Sequence, residues 1–503
     1  MFALHRILDR TATLYSDRLA VVDGDVRLSY GSLAQRVRRL AGAFAAQGLR
    51  AGDRVASIGR NSFRSIEIHL ACAHAGLILV PLNIRLASAE IEFILNETDA
   101  KLLLRTLPVD VAAPRTLAWS DDDAVSEGAY ERAIDHAAPM SPAPVELDDI
   151  AQIFYTSGTT GRPKGVCLTH RNLVASALDS IIGLELNERD VWLHASPMFH
   201  LVDAFAIWGI SLVGGRHVVA HFEPEIFGPL VEREQITKTS LPPTLLDKIV
   251  RESPVADHDL SSLDRISYGG SPMQEAVYRR CVETLQCRLL QAYGLTEGSG
   301  FVCHQMPNDQ PDPDSLRNSV GRPTVHVDVA VLDDRGNAAA DGEVGELCLR
   351  GARVMREYWR NPDATQAAFH AGWYRSGDLG VRNAGGEFRV VGRKKEMIIS
   401  GGENVYPAEV VNALIAHPRV AEAAVFGVPS ALWGEEVRAV VYPLGGELEG
   451  LSAEGLIAHC RSLIGGYKIP KAIQISTEPL PKSGPGKIAT SIVRARYLQR
   501  DQV

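Results

Sequence analysis

The sequence YTSGTTGRPKGV occupies residues 155–166 and begins inside the apolar run AQIFYT, residues 151–156, which has the composition of a buried strand. It contains three glycines, four serine and threonine residues and one lysine. Such a loop can direct many backbone N–H groups and hydroxyls toward an anion, although a flexible surface turn has the same composition. The phosphate loop of the nucleoside triphosphatases requires GxxxxGK[ST], which fails here because Gly165 follows Lys164. The sequence therefore disfavours a motor or kinase of that class.

Composition narrows the remaining classes. The chain has 503 residues, 46% of them hydrophobic, which predicts about three or four structural units. A formal net charge of -9 leaves no basic excess for nucleic acid or an anionic membrane. The seven cysteines form no CxxC pair or Cys/His array, as is typical of a reducing cytoplasm. No apolar run reaches the roughly 18 residues of a membrane span, and the charged N-terminus is unlike a signal peptide. We predict a cytoplasmic protein, monomeric or homodimeric, with small-molecule partners, no nucleic acid and no transmembrane segment.

Apolar strands alternate with amphipathic helices in the first part of the chain and again after residue 190, which predicts mostly parallel sheets covered on both faces. One helix is predicted over residues 32–47, where apolar residues recur on one face. The Pro-, Ala- and Asp-rich segment 107–147 is interpreted as a surface connection. From about residue 320, short alternating strands predict an antiparallel unit, and after Ser400 the pattern is α+β.

Six further motifs follow the glycine-rich loop in a fixed order. They are PMFH (197–200), YGGSP (268–272), YGLTE (293–297), YRSGD (374–378), GRKKEMIISGGENVYPAEVV (392–411) and PKSGPGK (481–487). Together with the loop, they resemble the motifs of the adenylate-forming superfamily, which includes acyl-CoA synthetases, aryl-CoA ligases, firefly luciferase and the adenylation domains of peptide synthetases. The resemblance runs over essentially the whole chain.

This resemblance implies an α/β fold. The large N-terminal domain, residues 1–393, is expected to contain two α/β subdomains and a β-barrel-like subdomain, followed by a small, mobile α+β domain, residues 396–503, with a hinge at 394–395. The implied enzyme is an ATP-dependent acyl-CoA synthetase that uses Mg²⁺ and CoA. It activates a fatty or aromatic monocarboxylic acid as acyl-AMP with release of pyrophosphate, and then transfers the acyl group to the CoA thiol.

The resemblance also assigns the groups that neutralise the triphosphate. Opposite charges at 4 Å are worth roughly 4 kcal/mol at an effective dielectric of 20, so two anionic reactants require cationic or N–H partners. Thr296 is implied as the α-phosphate donor and Glu297 as a ligand of Mg²⁺, whereas a capping pair at a helix start is the structural alternative. The residues implied at the β- and γ-phosphates are Thr156, Ser157, Gly158, Thr159, Thr160, Gly161 and Lys164.

The nucleoside is assigned in the same way. Asp378 and Arg393 are implied at the ribose, because a carboxylate can accept two hydrogen bonds from a diol. A Gly-Asp hairpin turn is the alternative for Asp378. The residues implied around adenine are Gly269, Gly270, Ser271, Tyr293 and Gly294, with the tyrosine ring as a stacking surface.

The C-terminal motifs are implied to serve both half-reactions. Lys487 resembles the catalytic lysine of the family, although a lysine near a chain end is commonly a solvated side chain. Lys395 matches the hinge position. Residues implied near CoA are Ser400, Gly401 and Gly402 in the pantetheine tunnel, Trp433 at the CoA adenine, and Lys468 and Lys471 at its phosphates. A packing tryptophan and surface lysines are the structural alternatives for the last three.

The acid is expected beside His200, which matches an aromatic or imidazole position of the family, or else is a core histidine bonded to backbone. The implied pocket is formed by His200, Leu201, Val202, Phe205, Tyr268, Ser299, Gly300 and Val302. None is an arginine or lysine, which disfavours a dicarboxylate. Two other functions stay open at this point: an acyl-AMP ligase that loads a carrier-protein phosphopantetheine, and a non-catalytic nucleotide-binding protein.

Overall fold

A computed structural model describes residues 2–106, 110–111, 116–118, 128–156, 163–270, 273, 275–305, 319–430, 432–448, 450–483 and 487–500. Short 3₁₀ turns lie at Pro224–Ile226, Val255–Asp257, Thr296–Gly298, Lys394–Glu396, Leu444–Gly446 and Gly466–Lys468. The α-helices are His5–Leu14, Tyr30–Ala46, Phe63–His74, Ser88–Thr98, Ala129–His136, His170–Leu184, Leu201–Val213, Phe227–Glu234, Pro243–Glu252, Glu275–Leu285, Pro362–Ala368, Pro407–Ile415, Ala453–Arg461 and Thr490–Arg500.

The helix predicted over residues 32–47 is confirmed as Tyr30–Ala46. It begins where the Ser29 side chain accepts a hydrogen bond from the backbone N–H of Ser32, a normal N-cap. The apolar residues recurring on one face are buried against the rest of the domain. None of the helices in the described ranges combines the length and the hydrophobicity that crossing a membrane requires.

The largest sheet contains 14 strands among the described residues. Its parallel part joins, at one end, a series of antiparallel strands that begins with Gly300–His304. The strands are, in spatial order, Val327–Leu332, Gly345–Gly351, Trp373–Arg382, Phe388–Arg393, Ser319–Pro323, Gly300–His304, Arg288–Leu295, Arg265–Gly269, Lys238–Leu241, Val191–His194, Arg216–Val219, Leu19–Asp23 and Val26–Ser29, with Phe369–His370 paired to Trp373–Arg382.

Two smaller sheets complete the fold, each described within the same ranges. The seven-stranded sheet has the order Glu357–Tyr358, Lys164–Thr169, Ile150–Thr156, Ile78–Pro81, Arg54–Ile58, Leu102–Arg105 and Thr116–Ala118. The C-terminal sheet has the order Glu403–Val405, Ile398–Ser400, Gly434–Pro443 and Val420–Ser430, with Ala472–Ile475 beside Gly434–Pro443, and a hairpin pairs Lys482–Ser483 with Lys487–Ile488. The predicted fold class, α/β with an antiparallel unit and a small α+β C-terminal part, is confirmed. The domain limits and the hinge stay predictions.

The segment 107–147 is more than the predicted surface connection. Its helix Ala129–His136 buries Tyr130 and Glu131. The Glu131 carboxylate accepts from Arg36 Nη2 at 2.8 Å and from Arg64 Nε at 2.9 Å, so the helix is attached to two neighbouring helices by ion pairs. The prediction was wrong for this part because the helix is short and lies in a segment rich in Pro, Ala and Asp, so that composition concealed the helical spacing of the buried Tyr130 and Ile134.

Candidate active site

The glycine-rich loop joins two strands of an antiparallel hairpin. Thr156 and Lys164 lie opposite each other at the loop end of the strands Ile150–Thr156 and Lys164–Thr169, so both ends of the loop are held by the seven-stranded sheet. The Lys164 ammonium lies 5.0 Å from the centroid of the Tyr358 ring, within range of a cation–π interaction. Five residues predicted to bind phosphate lie outside the described residues, namely Ser157, Gly158, Thr159, Thr160 and Gly161.

Glu297 lies in the 3₁₀ turn Thr296–Gly298, directly after the strand Arg288–Leu295 of the large sheet. The Tyr358 hydroxyl donates to Glu297 Oε1 at 2.9 Å, and the backbone N–H of Met355 donates to the Glu297 carbonyl at 2.7 Å. Burial raises the pKa of the Glu297 carboxyl, although the Tyr358 hydrogen bond acts in the opposite direction. This carboxylate forms no ion pair with a described residue. A carboxylate oxygen that lacks a cationic partner suits Mg²⁺, so Glu297 fits the predicted metal.

Asp378 lies in the strand Trp373–Arg382 directly opposite Arg393, so the alternative of a Gly-Asp hairpin turn is wrong. Its Oδ1 is 2.6 Å from Arg393 Nε, and its Oδ2 accepts from the Tyr293 hydroxyl at 2.7 Å. Burial, together with the Asp378 carboxylate, raises the pKa of Tyr293 well above its ordinary value. Tyr293 therefore stays a protonated donor, and the carboxylate is held between two fixed partners from different strands.

Glycines surround the predicted adenine position. A Cβ on Gly269 would overlap the carbonyl of Ala292, and one on Gly294 would overlap the carbonyl of Gly300, so neither site admits a side chain. Gly270 has a φ of +81° and open space around it. Ser271 lies outside the described residues.

Three residues predicted to line the acyl pocket come together at the start of the helix Leu201–Val213. A Cβ on Gly300 would lie 3.7 Å from the Leu201 carbonyl and 3.8 Å from Phe205 Cβ. The Phe205 ring packs edge-to-face against Trp192 at 5.6 Å and against Phe301 at 5.1 Å. The inner end of this region is therefore aromatic.

The other predicted pocket residues are buried to different degrees. Tyr268 and Val302 are buried, and Val202 is half-buried. Ser299 is fully buried, and its hydroxyl donates to the Arg353 carbonyl at 2.6 Å. The Ser299 hydroxyl is therefore already engaged in a hydrogen bond within the protein.

His200 immediately precedes the helix Leu201–Val213. Its ring lies 4.7 Å from the Phe199 ring in an edge-to-face arrangement. Burial, assisted by the positive charge of Arg85, lowers the pKa of His200 to about 4. The imidazole is therefore neutral at physiological pH and can act as a hydrogen-bonding group, but not as a cation for the acid's carboxylate.

Sequence reasoning missed Arg353, which is fully buried behind the turn that carries Glu297. Its Nη2 donates to the Ser299 carbonyl at 3.0 Å, and its Nη1 lies 3.2 Å from Asp179 Oδ2. A guanidinium does border the predicted pocket, at 3.6 Å from the Cβ position of Gly300, but Asp179 balances its charge. Nothing in the local sequence distinguishes Arg353 from an exposed arginine, because its partner is 174 residues away.

The predicted CoA-binding residues meet on the C-terminal sheet. The Gly401 N–H donates to the Trp433 carbonyl at 2.8 Å, and a Cβ on Gly401 would lie 2.9 Å from the indole ring. Ser400 and Gly402 flank this glycine. The Lys471 ammonium is 5.2 Å from the centroid of the half-exposed Trp433 ring. Lys468 is instead paired with Glu409 at 2.6 Å.

Two predicted lysines lie near or beyond the hinge. Lys395 occupies the turn Lys394–Glu396. The ammonium of the preceding residue, Lys394, lies 2.5 Å from Asp334 and 3.1 Å from Glu346. The backbone of Lys487 pairs with Ser483, while its side chain lies outside what the structure describes.

The AMP-binding enzyme family matches residues 8–359, and the AMP-binding enzyme C-terminal domain matches residues 409–487. The chain belongs to the AMP-binding enzyme family. Among the relatives of this AMP-binding enzyme, feruloyl-CoA synthase from Amycolatopsis sp is 36% identical over 490 residues, with 97% of this chain and 98% of the relative covered. The long-chain-fatty-acid–CoA ligase FadD13 of Mycobacterium tuberculosis is 32% identical, with 94% of each chain covered.

Solved structures of related enzymes are also similar to this chain. ATP-bound MatB from Rhodopseudomonas palustris has a TM-score of 0.88 at 27% identity and 99% coverage of both chains. The o-succinylbenzoate CoA synthetase MenE from Bacillus subtilis, in complex with its acyl-adenylate intermediate, has a TM-score of 0.86 at 29% identity and 97% coverage of both chains. The predicted superfamily and enzyme class, an AMP-forming acid:thiol ligase that uses ATP, Mg²⁺ and CoA, are confirmed. The individual site residues stay predictions.

Proposed function

We propose that this AMP-binding enzyme converts an aromatic monocarboxylic acid into its CoA thioester through an acyl-AMP. The choice of an aromatic acid is supported by the region predicted to form the acyl pocket, where Phe205 packs edge-to-face with Trp192 and Phe301. Edge-to-face packing is also the arrangement that an additional aromatic ring prefers. The 36% identity to feruloyl-CoA synthase supports the same choice.

The helices behind this ring cluster favour a compact acid over a long alkyl chain. A Cβ on Gly209, in the helix Leu201–Val213, would overlap the Ser180 hydroxyl of the helix His170–Leu184. A Cβ on Gly183 would likewise overlap the His304 imidazole. The helix His170–Leu184 thus packs closely against the helix Leu201–Val213 on one side and against the strand Gly300–His304 on another, which leaves no room at these contacts for a fatty acyl tail, because a well-packed interior has few voids larger than a water molecule.

In the first half-reaction, Lys164 and Thr296 bind phosphate oxygens, while Asp378 and Arg393 contact the ribose. When bound at Glu297, Mg²⁺ supplies positive charge to the phosphate oxygens. A carboxylate oxygen of the acid attacks the α-phosphorus, and the bond from that phosphorus to the α–β bridging oxygen breaks. Pyrophosphate leaves with the electron pair. The Lys487 ammonium neutralises the negative charge that develops on these oxygens.

In the second half-reaction, the sulfur of CoA attacks the acyl carbon of the adenylate. The bond from that carbon to the AMP oxygen breaks, AMP leaves with the electron pair, and the thiol proton is released. The neutral imidazole of His200 lies beside the acyl group as a hydrogen-bonding partner. Trp433 and the nearby Lys471 ammonium are suited to the adenine and a phosphate of CoA, respectively. Rotation of the C-terminal domain at Lys395 would withdraw Lys487, which acts in the first half-reaction, and bring in Trp433 and Lys471, which act in the second.

A matched panel of acids tests the proposal. AMP release and CoA thioester formation are measured with ferulate, cinnamate and benzoate, and with octanoate and palmitate, at equal concentrations. We expect kcat/KM for the best aromatic acid to exceed that for palmitate by at least about 100-fold, the discrimination of about 3 kcal/mol that pocket shape can supply. A higher kcat/KM for palmitate than for every aromatic acid would refute the choice of an aromatic acid. Absence of CoA-dependent turnover with all five acids would contradict the ligase activity itself.

A further inference from the structure

A groove of about 580 Å³ lies at the opposite edge of the large sheet from the nucleotide residues. It is formed where the neighbouring parallel strands Leu19–Asp23, Arg216–Val219 and Val191–His194 begin. The proposed catalytic groups instead follow the carboxyl ends of parallel strands, as with Thr296 after Arg288–Leu295. The groove is therefore a different place from the active site. Its lining residues are Arg18, Leu19, Glu188, Arg189, Asp190, Val191, Gly214 and Arg216.

The three arginines of the groove form no ion pair with any described residue. Arg18 Nη1 lies 3.4 Å from the Gly214 carbonyl, and Arg216 Nη2 donates to the Glu234 carbonyl at 2.5 Å. The side chain of Arg189 is exposed to solvent. Within the described ranges, the Nε–H of Arg216 is buried and has no hydrogen-bond partner. Leaving part of a charged group buried and unpaired is costly, so an anion bound close to the Arg216 guanidinium would stabilise it.

The adjacent strands of the same sheet provide a contrast. Their first residues are also basic, but each pairs with a carboxylate: Lys238 with Asp190 at 2.5 Å, Arg265 with Glu185 at 2.6 Å and Arg288 with Asp264 at 2.5 Å. The Asp190 carboxylate that faces the groove is thus already neutralised by Lys238. Glu188 also lines the groove, so three arginines stand against one carboxylate that no described residue pairs with, and the groove stays net positive in a chain with a net charge of -9.

We infer that this groove binds the phosphate group of a small soluble molecule. Guanidinium groups present N–H pairs that match two phosphate oxygens, and three of them line this one groove. The groove is larger than inorganic phosphate, which leaves room for a ligand with a further body beyond its phosphate. Burial lowers the pKa of Arg216 even though the nearby Glu234 carboxylate acts in the opposite direction, and the Arg27 charge lowers it further, so a bound anion would stabilise the charged guanidinium. The inference does not depend on which acid the enzyme activates.

Arginine modification by phenylglyoxal, mapped by mass spectrometry, tests this inference on the full-length enzyme. The probes are inorganic phosphate and phenyl phosphate, with sodium chloride at equal ionic strength as the control for screening. The nucleotide site is kept saturated with a non-hydrolysable ATP analogue, so that neither probe occupies it. At 10 mM phenyl phosphate we expect modification of Arg18 and Arg189 to slow by about tenfold, which corresponds to a Kd on the order of 1 mM. Inorganic phosphate is expected to protect less, since it leaves most of the groove empty.

Two variants make the test specific. Arg216→Gln should abolish protection of Arg18 and Arg189, whereas Arg382→Gln, which removes an exposed guanidinium paired with Asp341, should leave it unchanged. If Arg216→Gln does not fold, Arg189→Gln serves in its place with Arg18 as the reporter. Equal modification rates in phenyl phosphate and sodium chloride would overturn the inference. Protection that persists in the Arg216→Gln enzyme would overturn it as well.

Discussion

Replacing Tyr358 by phenylalanine removes the hydroxyl that donates to Glu297 but keeps the ring under the Lys164 ammonium. A hydrogen bond to a charged acceptor contributes about 1.5–3 kcal/mol. Since each 1.36 kcal/mol corresponds to a factor of ten, kcat/KM for ATP should fall by about 10- to 150-fold. The Tyr374 hydroxyl lies 3.4 Å from that of Tyr358 and can compensate in part, which favours the lower end of this range.

Acid-dependent pyrophosphate exchange is the assay, because it reports on the first half-reaction alone. The loss should be larger at low Mg²⁺ concentration, since the missing hydrogen bond also raises the pKa of Glu297 further and weakens it as a metal ligand. Tyr30→Phe is the matched control: it removes a buried hydroxyl that donates to the Gly215 carbonyl at 2.6 Å, far from any proposed catalytic group. A change of less than about twofold in the Tyr358→Phe enzyme, or an equal loss in both variants, would refute the role given to this hydrogen bond.

Three further outcomes are expected. Lys487→Ala should abolish pyrophosphate exchange yet largely spare thioester formation from supplied acyl-AMP, and equal loss of both activities would contradict separate roles for the two half-reactions. Asp179→Asn leaves the Arg353 guanidinium buried without its counter-charge and should lower the free energy of unfolding by about 3–5 kcal/mol in urea titrations, whereas unchanged stability would show that this ion pair is unimportant. Glu297→Gln should raise Tm at pH 8: because burial raises the pKa of Glu297, the wild-type enzyme loses stability as the pH rises through that pKa. The difference in Tm should shrink toward pH 4.5, and a lower Tm for Glu297→Gln at pH 8 would contradict the assigned direction of the shift.

The sequence predicted features that depend on near neighbours. The apolar face of Tyr30–Ala46 predicted that helix, and the alternation of strands and helices predicted sheets covered by helices. Both predictions were possible because the periodicity of apolar residues reflects which face is buried. The motif that contains Asp378 pointed to a nucleotide contact, but not to its hydrogen bond with Tyr293, 85 residues away. No local pattern predicts such a pairing.

Charged residues that are buried beside a partner were the hardest to predict from the sequence. The helix Ala129–His136 sits in a polar segment and is fixed by Glu131, and the turn that carries Glu297 is supported by Arg353. Both charged side chains resemble surface residues when only the sequence is considered, since burial of a charge depends entirely on a partner that folding brings near. The acyl pocket is likewise a prediction from motif positions, whereas the packing of Phe205 between two other rings could be seen only in the structure.

The short stretch from Met355 to Trp359 connects both sheets of the N-terminal part. It bonds to the Glu297 carbonyl through Met355 and to the Gly165 carbonyl through Trp359, with Tyr358 opposite Val166 in between. Inserting or deleting one residue here would reverse which side of the strand each side chain occupies and turn Tyr358 away from the carboxylate. Length variation during evolution should therefore be least tolerated in this stretch, while the residues around the acid can diverge and create new substrate preferences without disturbing the machinery that activates them.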